Sequence, residues 1–270
     1  MSGIGTSHGC ISVLNGIVSG TGAVIGIALT TEAAFDLRGT EPYVKIIGED
    51  TDDNLARICV RRTLERIGQD PGVNYHLTIK SEIPPSRGLK SSSSVCNAVI
   101  KAVLDAYDEE MDTIEMIKLG VECAKEAKVT VTGSYDDACG CELGGYIVTS
   151  NYENRILKQE PLARYDVILC TPDYIKNKVP KEKYQAVAPE MEEIKKIAET
   201  DVLKALTLNG KLIAGVTGES TEIIDKALEL GALAAGISGT GPAVAVVCET
   251  GKGKEIAEKL PCNTIVTETR

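Results

Sequence analysis

The residues with the most chemistry to offer run from Pro84 to Ser94: Pro84-Pro85-Ser86-Arg87-Gly88-Leu89-Lys90-Ser91-Ser92-Ser93-Ser94. They lead straight into a helical pattern, with Val95, Val99, Ala102, Val103 and Ala106 on one face. Small residues let backbone N–H groups approach a ligand closely. The first N–H groups of a helix lack internal partners, and the helix dipole favours an anion there. A phosphate suits such a terminus. Serine hydroxyls at the same place can cap the helix or reach a Mg²⁺ carried by a phosphate. One cap needs one serine, so a run of them points to a second role.

A second cluster is Thr132-Gly133-Ser134-Tyr135-Asp136-Asp137-Ala138-Cys139-Gly140. Read as a glycine-containing turn, it aims Asp136 and Asp137 in different directions, so one can face a cleft while the other caps or is solvated. A carboxylate beside a substrate hydroxyl can orient it and accept its proton. The same residues also suit an Asx-turn or an N-cap. A third cluster is Gly236-Ile237-Ser238-Gly239-Thr240-Gly241-Pro242-Ala243, which reads as a tight hairpin between two strands. Arg38 and Arg87 are further candidates for anion contact, with a solvated surface position as the alternative for each.

These clusters need elements to hold them. Cys10–Leu14, Ala23–Leu29, Ala33–Leu37 and Tyr43–Ile47 read as strands, with Gly39 and Pro42 in the last turn. Asp53–Ile67 reads as an amphipathic helix, and Tyr75, Leu77 and Ile79 alternate as in a half-exposed strand. Asp112-Thr113-Ile114-Glu115 has the spacing of an Asp capping box and starts a helix reaching about Lys128. Tyr146–Thr149 is a strand. The polar, aperiodic stretch Asn151–Arg164 reads as a domain boundary. Beyond it come a strand (Tyr165–Cys170), three helices (Pro189–Glu199, Asp201–Leu208, Ser220–Leu230), two strands (Ala234–Ser238, Ala243–Cys248), a helix (Gly253–Leu260) and a strand (Thr264–Thr267). This order predicts an α+β layer fold.

Composition narrows the classes. At 270 residues, 43% hydrophobic and 25% charged, the chain is long enough for one large or two modest domains of ordinary globular type. One Phe and no Trp call for an aliphatic core. A net charge of −10 argues against nucleic acid or an anionic membrane as partner. The stretch Gly22–Leu29 is too short to cross a bilayer, and no basic start precedes a long apolar run, so a cytoplasmic protein without a signal peptide is expected. Nine scattered cysteines without a C-x-x-C pair read as reduced, mostly buried thiols. Cys139 and Cys141 are close in sequence, but neither His8 nor His76 is near them, so no zinc site is expected. Gly20-x-Gly22-x-x-x-Gly26 has the wrong spacing for a dinucleotide fingerprint, and no G-x-x-x-x-G-K-[ST] occurs.

Taken in order, the clusters resemble the GHMP kinases. Pro85-x-x-Gly88-Leu89-x-Ser91-Ser92-Ser93 is similar to their phosphate-binding signature, with Lys90 where most of the superfamily has glycine. The form Gly88-Leu89-Lys90-Ser91-Ser92-Ser93 looks like the archaeal-type shikimate kinase branch. The double aspartate resembles the Gly-x-x-Asp-Asn/Asp stretch of mevalonate kinase and galactokinase relatives, which implies Asp136 as catalytic base. Ser7–Gly16 with Gly20-Thr21-Gly22-Ala23 resembles the branch's first motif. Mevalonate kinases carry a lysine there; none occurs between Met1 and Arg38, and Lys90 is the substitute the resemblance suggests.

The resemblance implies nucleotide binding by Pro85, Ser86, Arg87, Gly88, Leu89, Lys90, Ser91, Ser92, Ser93 and Ser94, and by Gly239, Thr240 and Gly241. It implies Mg²⁺ ligands at Ser92 and Glu126, with Glu122 as the fallback. The implied fold is α+β with two domains. Residues 1–152 form an N-terminal ATP-binding domain like ribosomal protein S5 domain 2, and residues 153–270 a ferredoxin-like C-terminal domain, with the active site between them. The implied reaction is phosphorylation of a small-molecule hydroxyl by ATP and Mg²⁺. Shikimate is the first acceptor and a homoserine or mevalonate-type alcohol the second. A non-catalytic nucleotide-binding relative is the reading from another class, and the retained Asp136 argues against it.

Overall fold

Two long strands carry the first half of the chain. In the computed structural model, which describes residues 1–48, 52–130, 133–174 and 179–270, β1 (Ser2–Leu14) and β2 (Thr21–Asp36) are joined by the single turn of α1 (Gly16–Ser19). They are followed by β3 (Tyr43–Ile46), α2 (Asn54–Arg66), β4 (His76–Ser81), α3 (Ser91–Ala106), α4 (Thr113–Glu126), α5 (Tyr135–Leu143), β5 (Tyr146–Ser150) and β6 (Arg155–Glu160). The second half contains β7 (Asp166–Cys170), α6 (Lys181–Gln185), α7 (Ala188–Ala198), α8 (Val202–Thr217), α9 (Glu222–Glu229), β8 (Ala234–Ile237), β9 (Val244–Cys248), α10 (Gly253–Ala257) and β10 (Thr264–Glu268).

The first sheet has the order β3-β4-β2-β5-β6, with β1 also paired to β2. The second is an antiparallel sheet of order β10-β7-β9-β8. Helices cover these sheets over two cores made chiefly of Ile, Val, Leu and Ala, as the composition requires. Eight of the nine free cysteines are buried. No helix among the described residues is long and apolar enough to cross a membrane.

The placement of α3 matters most for the site. It lies directly against β1, where a Cβ on Gly3 would fall 2.3 Å from Ala106 N and one on Gly5 2.1 Å from Ala98 O. Only glycine permits so close an approach, and it fixes where the N-terminus of α3 opens. α5 is held from its far end: the guanidinium of Arg270 donates to the carbonyls of Glu142 (2.7 Å) and Cys141 (3.4 Å). A cation there suits a helix C-terminus. Thr269 pairs with Ile27, which ties the second half back onto the first sheet.

Several expectations are corrected. Ala33–Leu37 is not a separate strand; nearly all of it is the far end of β2, which stays paired to β4 as far as Asp36. β3 joins β4 in parallel. The stretch read as a boundary contains β6, so a division after residue 152 would cut the β5–β6 hairpin; the change of sheet comes between Glu160 and Asp166. Tyr135–Gly140 is helix, not turn, because the left-handed residues Gly133 (φ 92°) and Ser134 (φ 47°) complete the turn before it. Thr132 lies outside the described residues.

Candidate active site

A cleft of about 500 Å³ lies between the two halves, within the range of small-molecule sites. One wall is the serine loop and the first turn of α3. Lys90, left-handed at φ 70°, takes the N-cap position and makes no side-chain cap bond. Ser91, Ser92 and Ser93 therefore form the first turn, and all three line the cleft. None of them takes the N-cap position. The first-turn N–H groups of a helix lack internal partners and sit at the positive end of its dipole.

The glycine-rich hairpin of the second half fixes this loop. Ser238 Oγ donates to Gly88 O (2.8 Å), and Ala243 N donates to Arg87 O (3.1 Å). The hairpin is held to the end of β1 as well: Gly239 N donates to Ser12 Oγ (2.9 Å) and Asn15 Nδ2 donates to Gly239 O (2.8 Å). Gly239 and Thr240 line the cleft. Three motifs far apart in sequence thus meet in one bonded unit.

The opposite wall is the first turn of α5, with Asp136 and Asp137. Lys90 bridges the two walls, its Nζ 2.9 Å from Asp137 Oδ1, with the side chains only 8% and 15% exposed. Burial is the largest single influence and lowers the Lys90 pKa, but Asp137, Asp136 and the Cys10 side chain together outweigh it and hold Lys90 above its usual value. Asp136 is 5% exposed. Its backbone N–H donates to Asn151 Oδ1 (3.0 Å), and its Oδ1 accepts from Asn151 Nδ2 (2.8 Å). Burial and the neighbouring Asp137 charge push Asp136 up to about 7, against the opposing pull of Lys90 and the Asn151 hydrogen bond. A carboxyl poised near neutrality is suited to general-base work. Gly22 makes room for it, since a Cβ there would lie 2.1 Å from Asp136 Oδ2.

Of the residues expected to bind nucleotide, the structure brings Ser86, Gly88, Lys90, Ser91, Ser92, Ser93, Gly239 and Thr240 to the cleft. Pro85, Arg87, Leu89, Ser94 and Gly241 do not line it. Leu89 and Ser94 are buried in the protein. Arg87 turns its guanidinium to the carbonyl of Tyr174. Gly241 N closes the hairpin on Ser238 O (2.9 Å).

Glu126 is not at the cleft. It is 43% exposed and paired with Arg61 and Arg62 of α2. Glu122 is paired with Arg62 (3.1 Å) and Arg66 (3.9 Å). The cause is helical phase: Ala124 and Lys128 line the cleft, and a residue two positions away lies about 200° around an α-helix. Among the described residues no cluster of three or more His, Cys, Asp or Glu is placed to hold a metal. Ser92, the other residue expected to hold the metal, does line the cleft.

Sequence reasoning missed Asn151, Tyr184, Val179 and the rim residues Lys128, Val129 and Thr130, all of which line the cleft. Asn151 sits where the sequence read as a linker, and nothing in its spacing marks it.

Residues 54–145 match the GHMP kinases N terminal domain, and residues 188–266 match the GHMP kinases C terminal domain. A shikimate kinase of Methanothrix thermoacetophila is 38% identical over 261 residues, covering 96% of this chain and 89% of the relative. A shikimate kinase of Pyrococcus furiosus is 34% identical over 275 residues, covering 100% of each. In fold, the chain superposes on the Methanococcus jannaschii mevalonate kinase with a TM-score of 0.82 at 19% identity, covering 99% of this chain and 98% of that one. A homoserine kinase from Cytophaga hutchinsonii gives 0.74 at 17% identity, covering 100% and 94%. The chain belongs to the GHMP kinase family, with the two-domain α+β fold its motifs implied. The two family domains and the near-full-length kinase relatives together make it a kinase, which implies ATP as the phosphate donor.

Proposed function

We propose that this kinase transfers the γ-phosphoryl group of ATP to the 3-hydroxyl of shikimate, giving shikimate 3-phosphate and ADP. The observation that carries the chemistry is the facing pair of walls: a buried, nearly neutral-range Asp136 opposite an open helix N-terminus bearing Ser91, Ser92 and Ser93. The near-full-length likeness to archaeal shikimate kinases supports the acceptor. The buried free thiols suit a cytoplasmic setting.

The phosphates rest on the N–H groups of the α3 first turn, beside the Lys90 ammonium. Asp136 orients the attacking hydroxyl and accepts its proton as the new O–P bond forms. The bond from the γ-phosphorus to the bridging oxygen breaks, and ADP leaves with the electron pair. Asp137 keeps Lys90 charged and fixed between the two walls. Mg²⁺, when bound with the nucleotide and touched by Ser92, neutralises the phosphate charge.

The test is a panel of alcohols (shikimate, homoserine, mevalonate and galactose) offered with Mg·ATP, scored by ADP release and by mass of the product. Shikimate 3-phosphate as the dominant product is expected. Phosphorylation of homoserine or mevalonate in its place would overturn the acceptor and keep the family's chemistry. No turnover with any alcohol, in protein that binds nucleotide, would favour the non-catalytic reading.

A further inference from the structure

Asn151 belongs to none of the motifs, yet it is 2% exposed and lines the cleft. It is fixed on every side. Its backbone N–H donates to Gly20 O (2.8 Å). Its Oδ1 accepts from the Asp136 backbone N–H (3.0 Å) and from the Thr149 hydroxyl (2.7 Å). Its Nδ2 donates to Asp136 Oδ1 (2.8 Å). A backbone N–H can only donate, so the amide oxygen must face it. That leaves the NH₂ end for the carboxylate, and the orientation of the amide follows from chemistry alone. Gly16 keeps the space open, since a Cβ there would lie 2.4 Å from Asn151 Nδ2. The Asp136 carboxylate also accepts from the Asp137 backbone N–H.

We infer that Asn151 is a positioning residue for phosphoryl transfer: it pins Asp136 Oδ1 and so presents Oδ2 to the attacking hydroxyl. The inference rests on Asp136 being the base. A donor to the carboxylate also favours its charged form. The charged groups facing Asp136 are Asp137 from its own helix and Lys90 from the loop before α3. The thiol of Cys139 lies nearby on α5, and that of Cys10 on β1 bonds the Asp137 carbonyl. Gly22 of β2 and Gly16 of α1 lie against it, and Asn151 reaches it from just past the end of β5. Asn151 grips both the side chain and the backbone of Asp136.

The test compares the wild type with Asn151→Ala and Asn151→Asp. The aspartate is nearly isosteric and keeps an acceptor for the Asp136 N–H and Thr149, but replaces the donor with a second carboxylate. Two readouts are taken: kcat and KM across pH, and the titration of Asp136 followed by ¹³C carboxyl NMR in protein without substrate. We expect kcat to fall roughly 10–100-fold, the value of one hydrogen bond to a charged group, with KM for Mg·ATP little changed. Both the acid limb of kcat and the NMR titration should move to higher pH, further for Asn151→Asp than for Asn151→Ala. Should either variant fail to fold, Thr149→Val removes one donor to the amide with Asn151 in place, and the same shifts are expected at smaller size. A lower thermal transition with kcat and the Asp136 titration unmoved would reduce Asn151 to a structural residue and overturn the inference. The NMR arm needs no acceptor, so it reads this inference separately from the identity of the substrate. Wild-type turnover on shikimate with an unmoved titration in the variants would sink the inference and leave the proposed reaction standing.

Discussion

The two walls of the cleft are made of different material. The α3 wall offers several interchangeable groups: three serine hydroxyls, the first-turn N–H groups and a half-exposed glycine loop. The α5 wall offers two carboxylates, Asp137 paired with Lys90 and Asp136 buried and held by Asn151. The first wall spreads its work over backbone and side chains, so no one side chain should be indispensable. The second concentrates its work in one oxygen, so a change of one atom should be felt in full. Lys90 joins the two and belongs to both.

The largest effect should therefore come from Asp136→Asn. It keeps the shape and removes the proton acceptor. Losing a general base costs about 10²–10⁴ in rate. The loss should sit in kcat, with KM for Mg·ATP nearly unchanged, because the contact matters in the transition state. In the wild type, kcat should rise with pH through about 7 as Asp136 loses its proton. The sign follows directly: burial and Asp137 raise this carboxyl, so it is protonated and inactive on the acid side. A kcat that stays flat from pH 5.5 to 8.5, on the order of the interval that brackets a raised carboxylate, would remove Asp136 as base and erase the contrast between the walls.

Lys90→Met comes next. It leaves Asp137 buried without its cation, and breaking a buried ion pair costs roughly 3–5 kcal/mol. A large drop in the thermal transition is expected, and it should be partly recovered by adding Asp137→Asn. Because Lys90 also opposes the rise in the Asp136 pKa, the acid limb of kcat should move upward in the single variant. If neither stability nor the limb moves, the bridge is an exposed pair in solution and the walls act independently.

How much of this was readable beforehand follows the same division. The α3 wall is local: glycine, serines and the start of an amphipathic helix lie within a dozen consecutive residues, so Ser91–Ser93 and Lys90 were legible. The capping aspartate Asp112, whose side chain accepts from Ile114 N and Glu115 N, was legible for the same reason. The α5 wall depends on tertiary contacts. Asp136 was named, but its helix was not, because Gly133 and Ser134 look like a turn and are one. Asn151 was invisible, since its importance comes from reaching back across the strand to a residue fifteen positions earlier. β6 went unread for the same reason: it is polar on an edge of the sheet, so its sequence carries no strand signal.

Ser92→Ala should act more weakly than either change above. A neutral hydroxyl contact contributes about 0.5–1.5 kcal/mol, which is roughly a 2–10-fold change at this temperature. Ser91, Ser93 and the backbone N–H groups remain. The change should appear in the Mg²⁺ dependence of Mg·ATP use rather than in folding, because Ser92 caps nothing. A loss above roughly a thousandfold, well past what one hydroxyl contact supplies, would mean that the α3 wall also hangs on one group.

The smallest effect is the most diagnostic for the metal. Glu126→Gln should leave kcat, KM and the Mg²⁺ titration unchanged. Glu126 and Glu122 lie one helical turn apart on the side of α4 that faces the arginines of α2, while Ala124 and Lys128 face the cleft. A helix cannot present residues 124 and 126 to the same place. The pairs that Glu126 makes are exposed, and such pairs contribute about 0–1 kcal/mol, so stability should shift little as well. A hundredfold drop in kcat, on the order of what a lost catalytic group costs, would have one meaning. It would show that nucleotide binding rotates α4 by about half a turn of phase and frees Glu126 from Arg61 and Arg62. The α4 side of the cleft would then join the α5 wall as a place where one carboxylate carries the work. An unchanged Mg²⁺ titration leaves the ion to the phosphates, to water and to Ser92, and leaves Asp136 as the cleft's one decisive carboxylate.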